Sequence, residues 1–400
     1  MTEPVEARPT TTRATSTHRY APTAELLELG RAAPRASQQS LLDLSTDDLV
    51  GRVQALGEPA YRARQLLGWV YRDLVFDYDR MTSLPRRLRE RLAAELPILP
   101  LRLEAEVSSD AGLTRKVLLG LEAGSGVETV LMVYPARPGS ADAEAGRTRR
   151  TVCVSSQVGC GVGCPFCATG RSGLVRNLSA GEIVGQILYF AREVRAREGA
   201  EARLTNVVFM GQGEPLANFR QVWKAIETLS SPEAFGLGAR HLTVSTSGLV
   251  PRIRELAEMD KQVGLAISLH APDDALRDRL VPVNRKYPIA ELMGACRYYV
   301  EKTNRRVSFE YVMIDGVNDS VEQAETLADL LRGLLGHVNL IPMNPVAESP
   351  FQPTPWTRVL AFEATLRRRG IPCTVRVARG DPIDAACGQL RARLLESPGG

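Results

Sequence analysis

Thr151-Val152-Cys153-Val154-Ser155-Ser156-Gln157-Val158-Gly159-Cys160-Gly161-Val162-Gly163-Cys164-Pro165-Phe166-Cys167 is the stretch that decides the fold. Its first five residues form a β-branched run of strand length, which passes directly into a glycine-bearing loop with three cysteines spaced C-x3-C-x2-C. Downstream, short β-branched runs alternate with helical stretches: Val207–Met210, Leu242–Ser245, Val263–Leu269, Val307–Met313, Val338–Ile341 and Cys373–Val377. Repeated strand–helix units predict a parallel sheet covered by helices. Six or seven units fall short of the eight of a closed barrel. The expected fold is therefore α/β, a partial (β/α)6 barrel with its site where loops converge at the carboxyl ends of the strands.

Upstream, residues 101–135 alternate, as in Lys116-Val117-Leu118-Leu119 and Val127-Glu128-Thr129-Val130-Leu131-Met132-Val133, which predicts a β-ribbon. A polar loop, Pro138–Arg150, follows it. From Leu41 to about Leu99 the apolar positions recur at helical spacing, and Ser45 or Thr46 before Asp47 and Asp48 reads as a helix start. Pro85–Arg91 is either a phosphate-facing surface or a solvated helix face. The expected organisation is a disordered tail (1–40), a helical accessory domain (41–100), the ribbon and linker loop (101–150), the partial-barrel catalytic domain (151–392) and a short tail (393–400).

A hydrophobic share of 44% with 24% charged residues places the 400-residue chain among ordinary globular proteins rather than disordered ones. The net charge of +4 is too mild to mark a dedicated electrostatic nucleic-acid binder, although most of the 50 basic residues are arginines, which suit phosphate and base contacts. There is no run of about 18 apolar residues and no secretory-signal pattern, so no membrane association and a cytoplasmic location are expected. Seven unevenly spaced cysteines do not resemble a secreted disulfide framework.

Three thiolates in one loop leave one iron of a four-iron cube open, whereas a structural zinc would take four ligands; a zinc knuckle completed from a distance is the alternative. The spacing of Cys160, Cys164 and Cys167 resembles the radical S-adenosylmethionine (SAM) superfamily, in which SAM occupies the open iron and is cleaved to a 5′-deoxyadenosyl radical. Met210-Gly211-Gln212-Gly213-Glu214-Pro215-Leu216 follows a predicted strand. Its glycines admit close backbone approach, and Glu214 can accept hydrogen bonds from an ammonium. Later strand ends supply Ser245, Ser268-Leu269-His270 and Asn344, where a barrel would present ligand contacts; taken singly, each reads first as a helix cap or a satisfied core polar group, and His270 equally as a buried hydrogen-bonding histidine.

Together with Cys153–Cys160, Ser268–Pro272 and Gly380-Asp381-Pro382-Ile383-Asp384-Ala385-Ala386-Cys387-Gly388-Gln389-Leu390, these motifs resemble the RlmN/Cfr family of radical SAM RNA methyltransferases, on its RlmN branch, over roughly residues 41–392. The resemblance implies that Cys160, Cys164 and Cys167 hold a [4Fe-4S] cluster, and that Gly213, Glu214, Ser245, Ser268, Leu269, His270 and Asn344 contact SAM. It also implies that Cys387 becomes an S-methylcysteine, that Cys153 resolves it through a transient disulfide, and that Glu128 is a proton acceptor. From spacing alone Cys153 and Cys387 read as buried structural cysteines, and Glu128 as a solvent-facing strand carboxylate. The implied activity is C2 methylation of adenine in the peptidyl-transferase loop of 23S rRNA and beside the tRNA anticodon, consuming two SAM molecules. C8 methylation, as in Cfr, is the alternative, and a non-catalytic RNA-binding protein is the rival from another class. The implied partners are rRNA, tRNA and an electron donor such as flavodoxin or ferredoxin, acting with a monomer. Gln212 in place of the family's methionine, Asn344-Pro345-Val346-Ala347-Glu348, the long loop and the tail depart from the pattern.

Overall fold

The computed structural model describes residues 39–109, 112–121, 124–136, 148–344 and 349–376. The amino-terminal tail, most of the polar loop, residues 345–348 and the carboxyl-terminal segment with Cys387 lie outside them.

Chain order begins with three helices, α1 (Thr46–Ala55), α2 (Tyr61–Leu67) and α3 (Arg86–Glu95). Ser45 caps α1 in a capping box with Asp48, each side chain taking the other's backbone N–H, so the sequence signal at Ser45 is realised. This helical module docks on the start of a long helix, α5 (Ala180–Glu198), where Asp43 accepts from the Gly181 N–H at 2.6 Å. A Cβ at Gly181 would lie 2.8 Å from the Asp43 carboxyl, so only glycine admits this approach.

Strands β1 (Arg102–Ser109), β2 (Thr114–Gly120) and β3 (Gly126–Tyr134) form an antiparallel ribbon. The ribbon extends the main sheet directly, because β3 pairs antiparallel with β4 (Arg149–Cys153) over five positions. From β4 the sheet is parallel and runs in sequence order through β7 (Asn206–Phe209), β8 (Leu242–Thr246), β9 (Gly264–Ser268), β10 (Val307–Met313), β11 (Gly336–Pro342) and β12 (Cys373–Val375). Each crossover carries helix: α5, α6 (Phe219–Ser230), α7 (Val250–Ala257), α8 (Asp274–Leu280) with α9 (Ile289–Thr303), α10 (Val321–Leu331) and α11 (Trp356–Arg368). That is six β/α units and a last strand, an open partial barrel; among the described strands β1 and β12 are unpaired edges. Every one of the seven expected parallel strands is present.

Register separates the two faces of the sheet. Val117, Leu119, Val127, Leu131, Val152, Val207, Val244, Leu265, Ile267, Phe309, Val338 and Leu340 are buried against the helices in one continuous core. Under this outer face Arg115 pairs with Glu106 at 2.6 Å and with Glu193 of α5, all three nearly inaccessible. The opposite, inner face carries Lys116, Glu128, Thr151, Cys153, Thr243, Ser245, Ser268, Glu310, Asn339 and Thr374. A parallel sheet buried on both sides is ordinarily apolar on both. A polar inner face on such a sheet marks a ligand site.

Candidate active site

The cysteine loop is clasped at its base. After β4 the chain forms a short strand β5 (Gln157–Gly159), which pairs with β6 (Leu174–Asn177), and the Cys160 N–H donates to Gly173 O at 2.8 Å. Gly159 has φ +77°, and a Cβ there would fall 1.9 Å from Gly173 O, so the clasp depends on glycine. Between the strands lie Cys160, Cys164, Cys167 and a short helix, α4 (Ala168–Arg171). Cys164 and Phe166 pack against a small apolar cluster of Ala271, Leu276, Leu280, Val281, Ile314 and Met343, which sits past the carboxyl ends of β9, β10 and β11. The loop thus folds over the strand ends where the sequence placed the site.

Burial pushes the Cys160 thiol up to about 11 and Cys164 further still, and the three thiols repel one another's charge. They would all be thiolates only around a cation. Among the described residues no three His, Cys, Asp or Glu side chains gather as around a single metal ion. A four-iron cube instead takes its thiolates at separate irons, so the donor set, soft, clustered and desolvated, fits such a cluster.

Beside this loop stands Glu214. Its Oε1 accepts from the Leu216 N–H at 3.0 Å, and its Oε2 accepts from the Ser247 N–H and hydroxyl at 2.7 and 2.8 Å. Burial holds the carboxyl above its ordinary range, with these hydrogen bonds working against the rise. Gln157 ties the two loops together, its Oε1 accepting from the Glu214 N–H at 2.8 Å and its Nε2 donating to Asn177 Oδ1 at 2.7 Å. Gly213 has φ +99°, and a Cβ there would meet Gln157 at 2.6 Å. Gln212 is buried, and its Oε1 has no hydrogen-bond partner among the described residues.

Ser245 and Ser268 project from the inner face, and Leu269 and His270 follow at the end of β9. His270 has φ +60°; its Nδ1 accepts from the Val312 N–H at 3.0 Å, which leaves Nε2 as the N–H donor. Burial pushes the imidazole down to about 3, with the Arg277 charge adding to the effect, so the ring is neutral at working pH. Its edge meets Phe166 of the cysteine loop, centroids 5.1 Å apart. Asn344 stands half-buried just past β11.

The sequence could not place Cys153 or Glu128. Cys153 is buried on the inner face, opposite Val130 in register, and Glu128 lies diagonally from it on the same face. Glu128 is not solvent-facing: it is buried and paired with Lys116 Nζ at 3.0 Å. Cys387, its expected counterpart, is outside the described residues.

A model of the radical SAM superfamily matches residues 154–331, and one of the ribosomal RNA large subunit methyltransferase N-terminal domain matches residues 39–98. A dual-specificity RNA methyltransferase RlmN of Chloroflexus aurantiacus is 53% identical over 89% of this chain and 93% of its own. The chain belongs to the RlmN family of radical SAM RNA methyltransferases. A relative of the same description from Frankia alni is 50% identical over 93% of this chain and 88% of its own. The crystal structure of a radical SAM methyltransferase from Sphaerobacter thermophilus superposes with a TM-score of 0.82 at 54% identity, covering 88% of this chain and 98% of that one. The family's cofactors are a [4Fe-4S] cluster and SAM. No described helix is long and apolar enough to cross a membrane.

Three inner-face or strand-end residues escaped the sequence reading. Lys116 appeared only as the polar member of an alternating strand. Glu310 sits beside Ser268 in register, with Oε1 accepting from Asn339 Nδ2 at 2.8 Å and Oε2 buried with no hydrogen-bond partner among the described residues. Arg277 is wholly buried and donates to the carbonyls of Leu269, Ser247 and Ser268, joining the ends of β8 and β9. Pairing an ammonium on one hairpin strand with a carboxylate on the next was the available signal for Lys116; strand register reveals Glu310, and the packing of α8 on the strand ends reveals Arg277.

Proposed function

We propose that this enzyme methylates C2 of adenine in the peptidyl-transferase loop of 23S rRNA, and the adenine beside the anticodon of tRNA. The supporting observation is that a thiol, Cys153, and a carboxylate, Glu128, share the inner face of the sheet onto which the SAM-type loops open. A simple SAM methyltransferase needs neither group. Replacing hydrogen on an electron-poor ring carbon needs both a proton acceptor and a means of releasing the product.

In this reading Cys160, Cys164 and Cys167 hold the cluster, and bound SAM supplies a methyl group and, in a separate event, a 5′-deoxyadenosyl radical. Glu214 receives the ammonium of SAM, with Gly213 giving the backbone room to approach. Ser245, Ser268, Leu269, the Nε2–H of His270 and Asn344 fix the remainder. Cys387 carries the methyl group as S-methylcysteine. The carried carbon, having lost one hydrogen atom, bonds to C2 of the base; Glu128 takes the proton leaving C2, and the one unpaired electron left on the adduct passes to a one-electron acceptor, a part the cluster would fill. The Cys153 thiolate then attacks the Cys387 sulfur: an S–S bond forms as the S–C bond breaks, and the released carbon keeps the electron pair and takes up a proton to become methyl. Two equivalents of an external thiol, or one dithiol, reduce the Cys153–Cys387 disulfide and leave oxidised as their own disulfide, and a flavodoxin- or ferredoxin-class donor supplies electrons to a monomeric enzyme.

The adenine must be presented outside a stack, as a loop or flipped base. The helical module of residues 41–100 is the proposed RNA-binding part, with the exposed Arg86, Arg87 and Arg91 of α3 for phosphate contact. Nucleoside mass spectrometry of rRNA and tRNA from a strain lacking this gene, with and without complementation, tests the reading. Loss and restoration of 2-methyladenosine is the expected result; loss of 8-methyladenosine instead would assign the C8 reaction, and no change in either would refute methylation of these adenines.

A further inference from the structure

Lysine is rare in this chain. It occurs at five positions, 116, 224, 261, 286 and 302, within 50 basic residues. Lys116 is buried at the inner face with its side chain 1% exposed, 3.0 Å from Glu128 Oε2, itself on a side chain 2% exposed. The pair occupies a defined place in the register. Lys116, Val130 and Cys153 form one row across β2, β3 and β4, and Glu128 stands in the next row, opposite Leu118, diagonal to both Lys116 and Cys153.

Stability does not account for such a pair. Desolvating two charges costs about as much as their attraction returns, and apolar replacements of buried pairs are often neutral or stabilising. The same ribbon shows how it is held structurally: its outer face packs Val117, Leu119 and Val127 into the core and uses Arg115 with Glu106 and Glu193 to bind α5. The inner-face pair lies instead beside the thiol.

We propose that Lys116 is a positioning residue for RNA methylation: its ammonium holds the Glu128 side chain and aims it at the space in front of Cys153 where the edge of the target adenine must lie. This rests on Glu128 being the proton acceptor of the proposed function. The step served is a proton transfer only. The C2–H bond of the base breaks heterolytically, its electron pair stays on the base, and the proton moves to the Glu128 carboxylate, while Lys116 keeps its protons. Without the ammonium, nothing at this point of the register would hold the Glu128 side chain in that direction.

The test uses full-length, cluster-loaded protein with SAM, a reductant and an unmodified ribosomal RNA fragment, and measures methylated adenosine formed per 5′-deoxyadenosine released. Glu128→Gln should depress this ratio about 100-fold, the lower range for loss of a general base. Lys116→Met should depress it to a similar extent, and Lys116→Arg should recover at least about tenfold of that loss by restoring a cation. The neutral double variant, Lys116→Met with Glu128→Gln, leaves no buried unpaired charge; it should melt near wild type and stay uncoupled. If Lys116→Met keeps the wild-type ratio while Glu128→Gln loses it, the role of Lys116 is overturned and that of Glu128 stands. If both keep it, the proton-acceptor reading fails and this inference with it. Should Lys116→Met fail to fold, a folded Lys116→Arg no better coupled than Glu128→Gln overturns the proposal.

Discussion

Replacing Glu214 by Gln changes charge and hydrogen bonding at one buried point while keeping size. In the ligand-free protein the carboxylate accepts three hydrogen bonds, from the Leu216 N–H and from the Ser247 N–H and hydroxyl. Burial nonetheless raises its pKa above the ordinary 4.5. A carboxyl raised in the folded state binds more proton than in the unfolded chain, so its contribution to stability is present below about 4.5 and is lost as pH rises through the raised value. Glutamine has no such loss. The stability of ligand-free Glu214→Gln relative to wild type should therefore increase with pH across that window, read by melting at successive pH values. SAM binding should move the other way. A hydrogen bond to a charged group contributes about 1.5–3 kcal/mol, so losing the carboxylate beneath an ammonium should weaken SAM by roughly 10- to 100-fold, measured by equilibrium binding to the cluster-loaded protein. Unchanged SAM affinity would refute the ammonium role, and parallel pH profiles for the two proteins would refute the buried carboxylate.

Ala in place of any one of Cys160, Cys164 or Cys167 should abolish iron and sulfide incorporation and SAM cleavage; normal iron content would contradict the ligand assignment. Gly213→Ala introduces a Cβ 2.6 Å from Gln157 at φ +99°, which should cost at least about 1–2 kcal/mol from the left-handed backbone alone and lower the melting temperature measurably. An unchanged melting curve would show that this loop relaxes freely. Removing residues 1–100 should abolish RNA methylation while the cluster still assembles. RNA affinity of the intact chain should fall with added salt, as phosphate contacts require, and salt-independent binding would point to another kind of interface.

The parallel strands were legible because each is a short β-branched run between helical stretches, and all appear in sequence order. The pair β5 and β6 was not, since three- and four-residue strands interrupted by glycine carry no alternation to read. The cysteine loop and Gly213-Glu214-Pro215 were legible as local motifs whose chemistry follows from residue type and spacing. What the sequence hid is long-range. Lys116 and Glu128 are 12 positions apart and meet through the ribbon register, while Glu310 and Ser268 are neighbours only because β9 and β10 pair. Strand alternation marks Cys153 and Glu128 as facing one side of their own strands, but only the assembled sheet shows that side to be the inner one. His270 illustrates the converse: buried and bonded through Nδ1 to a backbone N–H, it is a satisfied core histidine and still presents Nε2–H as a donor.

In the proposed reaction a methyl group passes through Cys387 to the base and Cys153 releases it. The most direct measurement compares Cys153→Ala with Cys387→Ala, each cluster-loaded and incubated with SAM, reductant and target RNA, and looks for a covalent protein–RNA species. Cys153→Ala keeps the carrier but lacks the thiolate that breaks the link, so a nuclease-sensitive, reductant-resistant adduct should accumulate, with digestion leaving a modified nucleotide on Cys387 by mass spectrometry. Cys387→Ala should give neither adduct nor methylated RNA. Normal turnover by Cys153→Ala, or an adduct formed equally well without Cys387, would contradict the mechanism and return both cysteines to structural roles.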